Sequence, residues 1–261
     1  MTNPQRTHLI EEHLRAHKYA DLHSLAELFG GSLSTVRRAL DLLESRGIVR
    51  RHHGGASLID PDALLHEHDF ITRTQHQADQ KFEIARLVAD YVAPSSTIIL
   101  DGGTTTYAVA RLLVKKQVKI ITNSLPIASF FAEIGGTETI VTGGTILGRL
   151  GVLVGPSCEK SFVNARADLA ILGAIGVTEG GVWNQHPLVI AAQRKMIAAA
   201  ERTIFAIDAS KFGRKTASLA APFNPNITII TDILPTQTVA RAIAAAGAQI
   251  TLSRKWSGVT G

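Results

Sequence analysis

The chain has 261 residues, of which 45% are hydrophobic, so it can bury the core of one large domain and one small domain. Its 27 basic and 22 acidic residues give a net charge of +5, a mild excess that suits a polyanionic or phosphorylated partner. A single cysteine, Cys158, excludes an internal disulfide framework and a cysteine-based zinc cluster. No apolar run approaches membrane-spanning length and no signal-peptide pattern is present, so we expect a cytoplasmic protein without a membrane partner.

Two short helices are predicted at the start of the chain, over residues 5–17 and 22–29, because apolar side chains recur on one face of each. Asp21 or Ser24 is suited to cap the second helix. Gly30-Gly31 then makes a tight turn, as a helix-turn-helix motif requires.

A third helix is predicted from Leu33 to Arg46, with Ser32 as its N-cap and Gly47 as the left-handed residue that ends it. Its other faces offer short hydroxyl groups and two arginines, which suits a helix that enters the major groove of DNA by its N-terminus. Its apolar face is formed by Leu33, Val36, Leu40 and Leu43. The candidate DNA contacts on this helix are Ser32, Ser34, Thr35, Arg37 and Arg38.

A basic wing is predicted after this helix, with Ile48-Val49 as a short strand and residues 50–55 (RRHHGG) as a basic hairpin tip. Such a wing lies along the phosphates and gives affinity and register without sequence information. An ordinary amphipathic helix with a solvated basic end is the alternative. The cap, the apolar spacing and the wing agree with one another, which favours DNA binding. The candidate phosphate contacts are Arg50, Arg51, His52 and His53.

The residues of this region resemble the N-terminal winged helix-turn-helix of the DeoR family of bacterial transcriptional regulators. The resemblance rests on segment 32–40 (SLSTVRRAL), the turn at Gly47 and segment 53–56 (HGGA). The family usually has an aspartate where Ala39 stands, so a local contact of that aspartate is not expected here. Three helices and a wing account for a DNA-binding domain over residues 1–58.

Residues 59–80 lose periodicity and become polar, which predicts an interdomain linker with a partly helical stretch around Ala63 to Phe70. Such a linker would let two DNA-binding domains adapt to spaced half-sites.

From Lys81 onward, helical and strand patterns alternate, beginning with a helix to Val92. Short apolar runs rich in β-branched residues are typical of strands covered on both faces. We therefore predict an α/β fold, with a largely parallel sheet covered by helices on both sides, as an effector-binding and oligomerisation domain over residues 81–261. The predicted strands are 97–100, 119–122, 139–142, 169–172, 203–206 and 227–230, and the predicted helices between them are 107–114, 125–134, 188–200 and 235–246.

Polar loops follow several of these strands, at the edge where such sheets bind ligands. Segment 101–106 (DGGTTT) runs into a helix, and its glycines, free N–H groups and hydroxyls favour an anion. It matches neither a nucleotide P-loop nor a full GxGxxG, and a simple strand-to-helix turn is the alternative. Small polar groups at the other strand ends, with one lysine, favour a phosphorylated polyol. The predicted effector contacts are Asp101, Gly102, Gly103, Thr104, Thr105, Thr106, Thr122, Asn123, Ser124, Gly143, Gly144 and Lys211.

No metal-ligand spacing or Ser-His-Asp order stands out, so we expect no metal, no cofactor and no catalytic residue. His186, which precedes Pro187, is either a further ligand contact or a surface histidine. Cys158 and Trp183 are expected to pack in the core.

This half of the chain also resembles the effector domain of the same family, a relative of ribose-5-phosphate isomerase, in which the loop is associated with sugar-phosphate recognition. The family commonly has a glutamate and a lysine before Met196, in a region where this chain has Val189, Ala191, Ala192 and Gln193. Enol chemistry is therefore less expected. The residues with counterparts in the family are Asp101 with its loop, Thr122-Asn123-Ser124, Gly143-Gly144, Gly155, Asp168, Gly173 and the run Asp208 to Lys211.

Together these patterns predict a transcriptional regulator and not an enzyme: a repressor of a carbohydrate catabolic operon, controlled by a phosphorylated sugar or related metabolite. It would bind a double-stranded DNA operator as a homodimer or homotetramer. One alternative is a sugar-phosphate isomerase-like enzyme with a basic N-terminal appendage. Another is a sugar-phosphate sensor whose N-terminal domain contacts protein instead of DNA.

Overall fold

The computed structural model describes residues 3–17, 19–46, 48–52, 55–58 and 70–253, and the chain divides into two compact units, Met1–His68 and Asp69–Gly261. None of the helices within these ranges has the length and apolar character needed to cross a bilayer.

The first unit is a winged helix-turn-helix in which three strands form an antiparallel sheet in the order β1-β3-β2. Strand β1 was not predicted, because three residues are too few to show the alternation of a strand.

The basic residues of the wing lie in a strand. Arg50, Arg51 and His52 are part of β2, whereas the sequence pattern predicts that they form the tip of a hairpin. Gly47, His53 and Gly54 lie outside the described residues. The elements are Asn3–His17 (helix), Tyr19–Asp21 (β1), Leu22–Phe29 (helix), Leu33–Ser45 (helix), Val49–His52 (β2) and Gly55–Leu58 (β3).

A small apolar core holds these three helices together. Leu14, Leu25 and Leu40, one from each helix, have no exposed surface. Val49 and Ala56 bring the strands onto the same core. The second helix is capped as predicted, since an Asp21 carboxylate oxygen accepts hydrogen bonds from the N–H groups of His23 and Ser24.

The second unit is built on a seven-stranded sheet of order β15-β14-β12-β9-β4-β5-β6, and every pair of neighbours is parallel. The predicted parallel α/β fold is confirmed. The strands are Thr97–Leu100 (β4), Lys119–Thr122 (β5), Thr139–Val141 (β6), Thr145–Leu147 (β7), Val152–Val154 (β8), Ala167–Leu172 (β9), Gly176–Thr178 (β10), Gly181–Asn184 (β11), Ala200–Ala206 (β12), Ser218–Ala221 (β13), Ile227–Thr231 (β14) and Gln249–Leu252 (β15).

Helices cover both faces of this sheet, because successive strand residues point to opposite sides. Ile98 and Leu100 pack into one core layer, and Ile99 lies between them in the sequence but packs into the other. The first layer receives helices Ala78–Asp90, Thr104–Leu113 and Leu125–Ile134, and the second receives helices Pro156–Val163, Pro187–Ala198 and Gln237–Ala245.

Two small antiparallel sheets stand beside the main one, and neither was predicted. Strands β7 and β8 form a hairpin, and β10, β11 and β13 form the other sheet. Leu153 N–H donates to the carbonyl of Asn123, and Leu125 N–H donates to that of Gly151, so the hairpin is fixed to the loop after β5. Their strands are only three or four residues long.

The C-terminal end of the predicted linker is helical in the structure. Helix Phe70–Gln75 precedes helix Ala78–Asp90, which begins three residues before the predicted start at Lys81. The ring of Phe70 packs edge-on against that of Tyr107, with the centroids 5.4 Å apart. Apolar packing and the Lys81 ammonium, which donates to the carbonyls of Arg73 and His76, hold this short helix on the second unit. Residues 59–69 lie outside the described part of the chain.

The separate cores lead to a prediction about stability. Leu40→Ala should lower the free energy of unfolding of the first unit by about 2–5 kcal/mol, because it leaves a cavity in that core. Hydrogen exchange followed by mass spectrometry should show faster exchange throughout residues 3–46. The matched variant Phe162→Ala should instead accelerate exchange in the sheet of the second unit. Faster exchange in the second unit alone on replacing Leu40 would contradict the division.

Candidate nucleic-acid interface and effector site

The recognition helix, Leu33–Ser45, begins with a cluster of three hydroxyl groups. The Ser32 Oγ accepts a hydrogen bond from the Thr35 N–H at 3.3 Å and lies 2.7 Å from the Ser34 Oγ and 3.0 Å from the Thr35 Oγ1. Ser32 is therefore the N-cap of this helix, as predicted. The cap presents short polar groups at the surface, at the end of the helix that enters a groove first.

The sides of the recognition helix divide as the apolar spacing predicts. Arg37 and Arg38 are exposed, whereas Val36, Ala39 and Leu40 are buried in the core. Since the two guanidinium groups stand on the solvent side of a helix anchored by its other face, they can reach base edges or phosphates without disturbing the fold.

The wing contributes a basic strand next to this helix. Strand β2 holds Arg50, Arg51 and His52, and Arg51 and His52 are in register with Ala56 and Gly55 of β3. The backbone of Ile48 is tied to the recognition helix, because its N–H donates to the carbonyl of Leu43 at 2.9 Å. The backbone of the wing is thus attached directly to the end of the helix within the first unit.

In the second unit, the loop after β4 leads directly into a helix whose N-terminus has no side-chain cap. Gly103 precedes helix Thr104–Leu113 and provides no side-chain cap, so the first N–H groups of the helix are left for another acceptor. At Gly102, a β-carbon would stand 2.0 Å from the Val152 Cγ1. Glycine is therefore required here by the close packing of strand β8 on the loop.

Most of the predicted hydroxyl and amide contacts are used by the protein itself. The Thr106 Oγ1 donates to the carbonyl of Asp101 at 2.7 Å, and the Thr122 Oγ1 donates to that of Leu100 at 2.7 Å. The Asn123 amide donates to the carbonyl of Leu153, and the Ser124 Oγ caps helix Leu125–Ile134. These four side chains are buried and shape the loops.

The glycines after β6 lie at the exposed side of the same region. Gly143 and Gly144 are exposed, and Gly144 has a φ of +130°. A β-carbon at Gly144 would lie 2.5 Å from the carbonyl oxygen of Val154, so this glycine also allows the β7–β8 hairpin to approach.

Asp101 is a buried carboxylate at the centre of the site. Its Oδ2 accepts from the Gln193 Nε2 at 2.7 Å, and its Oδ1 accepts from the Gly102 N–H at 2.7 Å. Burial raises the pKa of the Asp101 carboxyl to about 6, although these hydrogen bonds and the charge of Arg73 oppose the increase.

Gln193 was noted in the sequence only as a departure from the family, and the structure gives it a role. Its Nε2 also donates to the carbonyl of Gly173 at 3.0 Å, and its Oε1 accepts from the Asn184 Nδ2 at 3.3 Å. Val189, one turn earlier, packs against Val152 and Val154. Two neutral side chains thus support the site where the family has an acid and a base.

A cluster of three cations lies between Asp208, which acts on Lys81 and Lys211, and Asp101, which acts on Arg73. Arg73 and Lys81 were missed because they lie in or next to the segment predicted as a linker. Lys211 is half-buried, with its Nζ 3.9 Å from the Asp208 Oδ2. The pKa of Lys81 is lowered to about 8, and burial is the largest cause. The charge of Asp208 opposes this decrease, whereas the charges of Lys211 and Arg73 add to it. Burial likewise lowers the pKa values of Arg73 and Lys211. Three partly desolvated cations near two carboxylates leave an excess of positive charge at the site.

A winged helix-turn-helix joined to a parallel α/β domain with a polar strand-end site defines a class of proteins, the ligand-responsive transcriptional regulators. Family comparison agrees: residues 6–62 match the DeoR-like helix-turn-helix domain, and residues 76–233 match the DeoR C-terminal sensor domain. The chain belongs to the DeoR family of transcriptional regulators. It is a DNA-binding protein with a sensor domain for a small molecule, and the predicted resemblance is confirmed.

The relatives include several proteins named as transcriptional repressors. The glycerol-3-phosphate regulon repressor of Escherichia coli (strain K12) is 32% identical over 82% of this chain and 84% of its own length. The putative aga operon transcriptional repressor of Escherichia coli O157:H7 is 31% identical over 82% of this chain and 80% of its own length. The repressor GlcR of Bacillus subtilis is 30% identical over 91% of both chains. Among solved structures, ribose 5-phosphate isomerase A of Methanocaldococcus jannaschii is similar at 17% identity and a TM-score of 0.39, over 53% of this chain and 56% of that one.

The buried carboxyl leads to a prediction about pH. The pKa of Asp101 is raised from 3.8 to about 6 on folding, so the folded state holds a proton that the unfolded state releases between these values. The free energy of unfolding should therefore fall by about 3 kcal/mol as the pH rises through this window, at about 1.4 kcal/mol for each pKa unit. Asp101→Asn should remove this contribution. Urea unfolding at a series of pH values measures it, and an equal slope in both proteins would contradict the assignment.

Proposed function

We propose that this protein represses a carbohydrate catabolic operon by binding a double-stranded DNA operator, and that a phosphorylated sugar or related polyol phosphate controls this binding. The observation that carries the effector class is the convergence of Arg73, Lys81 and Lys211 near the loop that begins at Asp101. We further propose that the chain acts as a homodimer or homotetramer in the cytoplasm.

The physical argument for a phosphorylated ligand is one of charge and donors. Taking a cation out of water is unfavourable unless an anion compensates it, and the two carboxylates near the cluster do not balance three cations. A phosphate group has the charge and the acceptor oxygens that the lysines, the arginine and the uncapped helix N-terminus can satisfy. The names of the relatives, which include a glycerol-3-phosphate regulon repressor, support the same class of metabolite.

Control of DNA binding requires that the effector bind two conformations with different affinity. A two-fold dimer presents two recognition helices to half-sites one helical turn apart, so a change in the position of the first units alters operator affinity without altering any base contact. The effector thereby shifts the population between a conformation that fits the operator and one that does not.

The isomerase-like alternative is less well supported by the side chains around Asp101. An isomerase needs an acid and a base that exchange protons with the substrate. Gln193 is an amide that cannot exchange a proton at neutral pH, and Val189 is apolar. We therefore propose that the chain is not an enzyme. Turnover of ribose 5-phosphate by the full-length protein would contradict this.

The first experiment measures binding to DNA from upstream of the gene and its neighbours by fluorescence anisotropy at fixed salt, because phosphate contacts make affinity steeply salt-dependent. Arg37→Ala and Arg38→Ala should each weaken specific binding by about 1–3 kcal/mol for a lost base contact. The matched control, Arg86→Ala, removes an exposed arginine of the second unit and should bind like the wild type. If both variants bound the operator with unchanged affinity, this helix would not be the element that recognises the DNA sequence.

A second experiment adds sugar and polyol phosphates to the same complex. Lys211→Gln should raise the concentration needed for half of the effector's response at least tenfold, since a charge-assisted hydrogen bond contributes about 1.5–3 kcal/mol. Lys195→Gln, an exposed lysine of helix Pro187–Ala198, serves as the control and should keep the wild-type response. If Lys211→Gln kept the full wild-type response, the effector would not bind next to Lys211.

A further inference from the structure

Buried side-chain atoms without a hydrogen-bond partner point to a second part of the effector site. Within the described ranges these atoms are the Asn123 Oδ1, the His186 Nδ1 and the Thr216 Oγ1. Such atoms are uncommon in folded proteins, because each costs free energy that a partner would restore. The Asn123 Oδ1 lies near the thiol of Cys158, a weak donor, whereas His186 and Thr216 lie on two other loops.

The small sheet brings His186 and Thr216 together. Strands β11 and β13 are antiparallel, and their last matched pair is Asn184 with Ser218. His186 follows Asn184 by two residues and Thr216 precedes Ser218 by two residues, so both lie just beyond this end of the ladder. The two unpartnered atoms therefore belong to neighbouring segments.

The same geometry relates this pair to the effector site. His186 lies two residues after Asn184, across a bend at Gln185, and directly precedes helix Pro187–Ala198, which carries Gln193. Asn184 is linked through Gln193 to Asp101 by hydrogen bonds. Thr216 is on the loop that follows Lys211, whose ammonium belongs to the cation cluster. The pair thus adjoins the site from the side of β11 and β13.

The chemistry of the pair differs from that of the cations. A hydroxyl can donate and accept, and a ring nitrogen does one or the other according to its protonation. Such groups match the hydroxyls of a sugar, which also donate and accept. We propose that His186 and Thr216 bind hydroxyl groups of the sugar moiety of the effector, while the cations bind its phosphate, and that this pair determines which sugar phosphate is recognised. The inference rests on the proposed effector class.

The opposing explanation is a water molecule that bridges the two atoms in every state, as buried waters commonly do. The two explanations predict opposite effects on the free protein. If the ligand supplies the partner, Thr216→Val removes an unsatisfied hydroxyl and the melting temperature without ligand stays level or rises. If a permanent water supplies it, the variant loses that water's hydrogen bond and melts at a lower temperature.

The test uses the full-length protein in isothermal titration calorimetry with four probes: glucose 6-phosphate, ribose 5-phosphate, glycerol 3-phosphate and inorganic phosphate. Thr216→Val and His186→Leu should each weaken binding of the sugar phosphate that the wild type prefers. The expected increase in Kd is roughly threefold to tenfold, because one neutral hydrogen bond contributes about that much to affinity. Their affinity for inorganic phosphate should equal that of the wild type, because it has no sugar hydroxyls.

Conservative variants provide the matched controls. Thr216→Ser keeps the hydroxyl, and His186→Asn keeps a polar atom near the position of Nδ1, so both should recover most of the lost affinity. The inference would be overturned if the variants lost equal affinity for a sugar phosphate and for inorganic phosphate. It would also be overturned if they kept wild-type affinity for all probes but melted at a lower temperature. Neither result would contradict the proposed phosphate site. Binding of none of the probes by the wild type would overturn both the inference and the proposed effector class, while operator binding would remain a separate result.

Discussion

The hydrogen bond between Asp101 and Gln193 is the interaction on which the sensor site depends. Asp101 directly follows strand β4 of the sheet, and Gln193 lies on helix Pro187–Ala198, which follows strand β11. Because the same amide reaches the carbonyl of Gly173, and its oxygen holds Asn184, one side chain fixes the relative positions of three strand-end loops. A buried carboxylate is stable only with such partners, so the pair positions the loops and shields the charge together.

The two units use positive charge in different ways. Arg37 and Arg38 are solvated, which costs nothing in the free protein and leaves them able to reach a polyanion. Arg73, Lys81 and Lys211 are partly desolvated, so their charges act more strongly on one another and on a ligand than they would in water. The first arrangement suits a long surface such as DNA, and the second suits a single small anion.

Much of this fold could be predicted from the sequence, because its signals are local. The cap at Ser32, the apolar spacing through Leu40 and the β-branched runs each reflect a short stretch of chain. Strand β1 could not be predicted, since it has three residues and its partner β3 is distant in the sequence, and the strands of the β7–β8 hairpin are equally short. The site shows the same limit: the loop at Asp101 was visible as a motif, but Lys81 joins it only through packing, and the hydroxyls of Thr106 and Thr122 turned out to bind backbone carbonyls.

The missing side chain at Gly102 has a consequence for how this protein can change. A methyl group of Val152 fills the space that a β-carbon at position 102 would occupy. Any larger residue at 102 needs a smaller one at 152, so position 102 cannot vary freely by itself. A single substitution at 102 meets a barrier that a smaller residue at 152 removes, so the change at 152 is expected to come first in evolution.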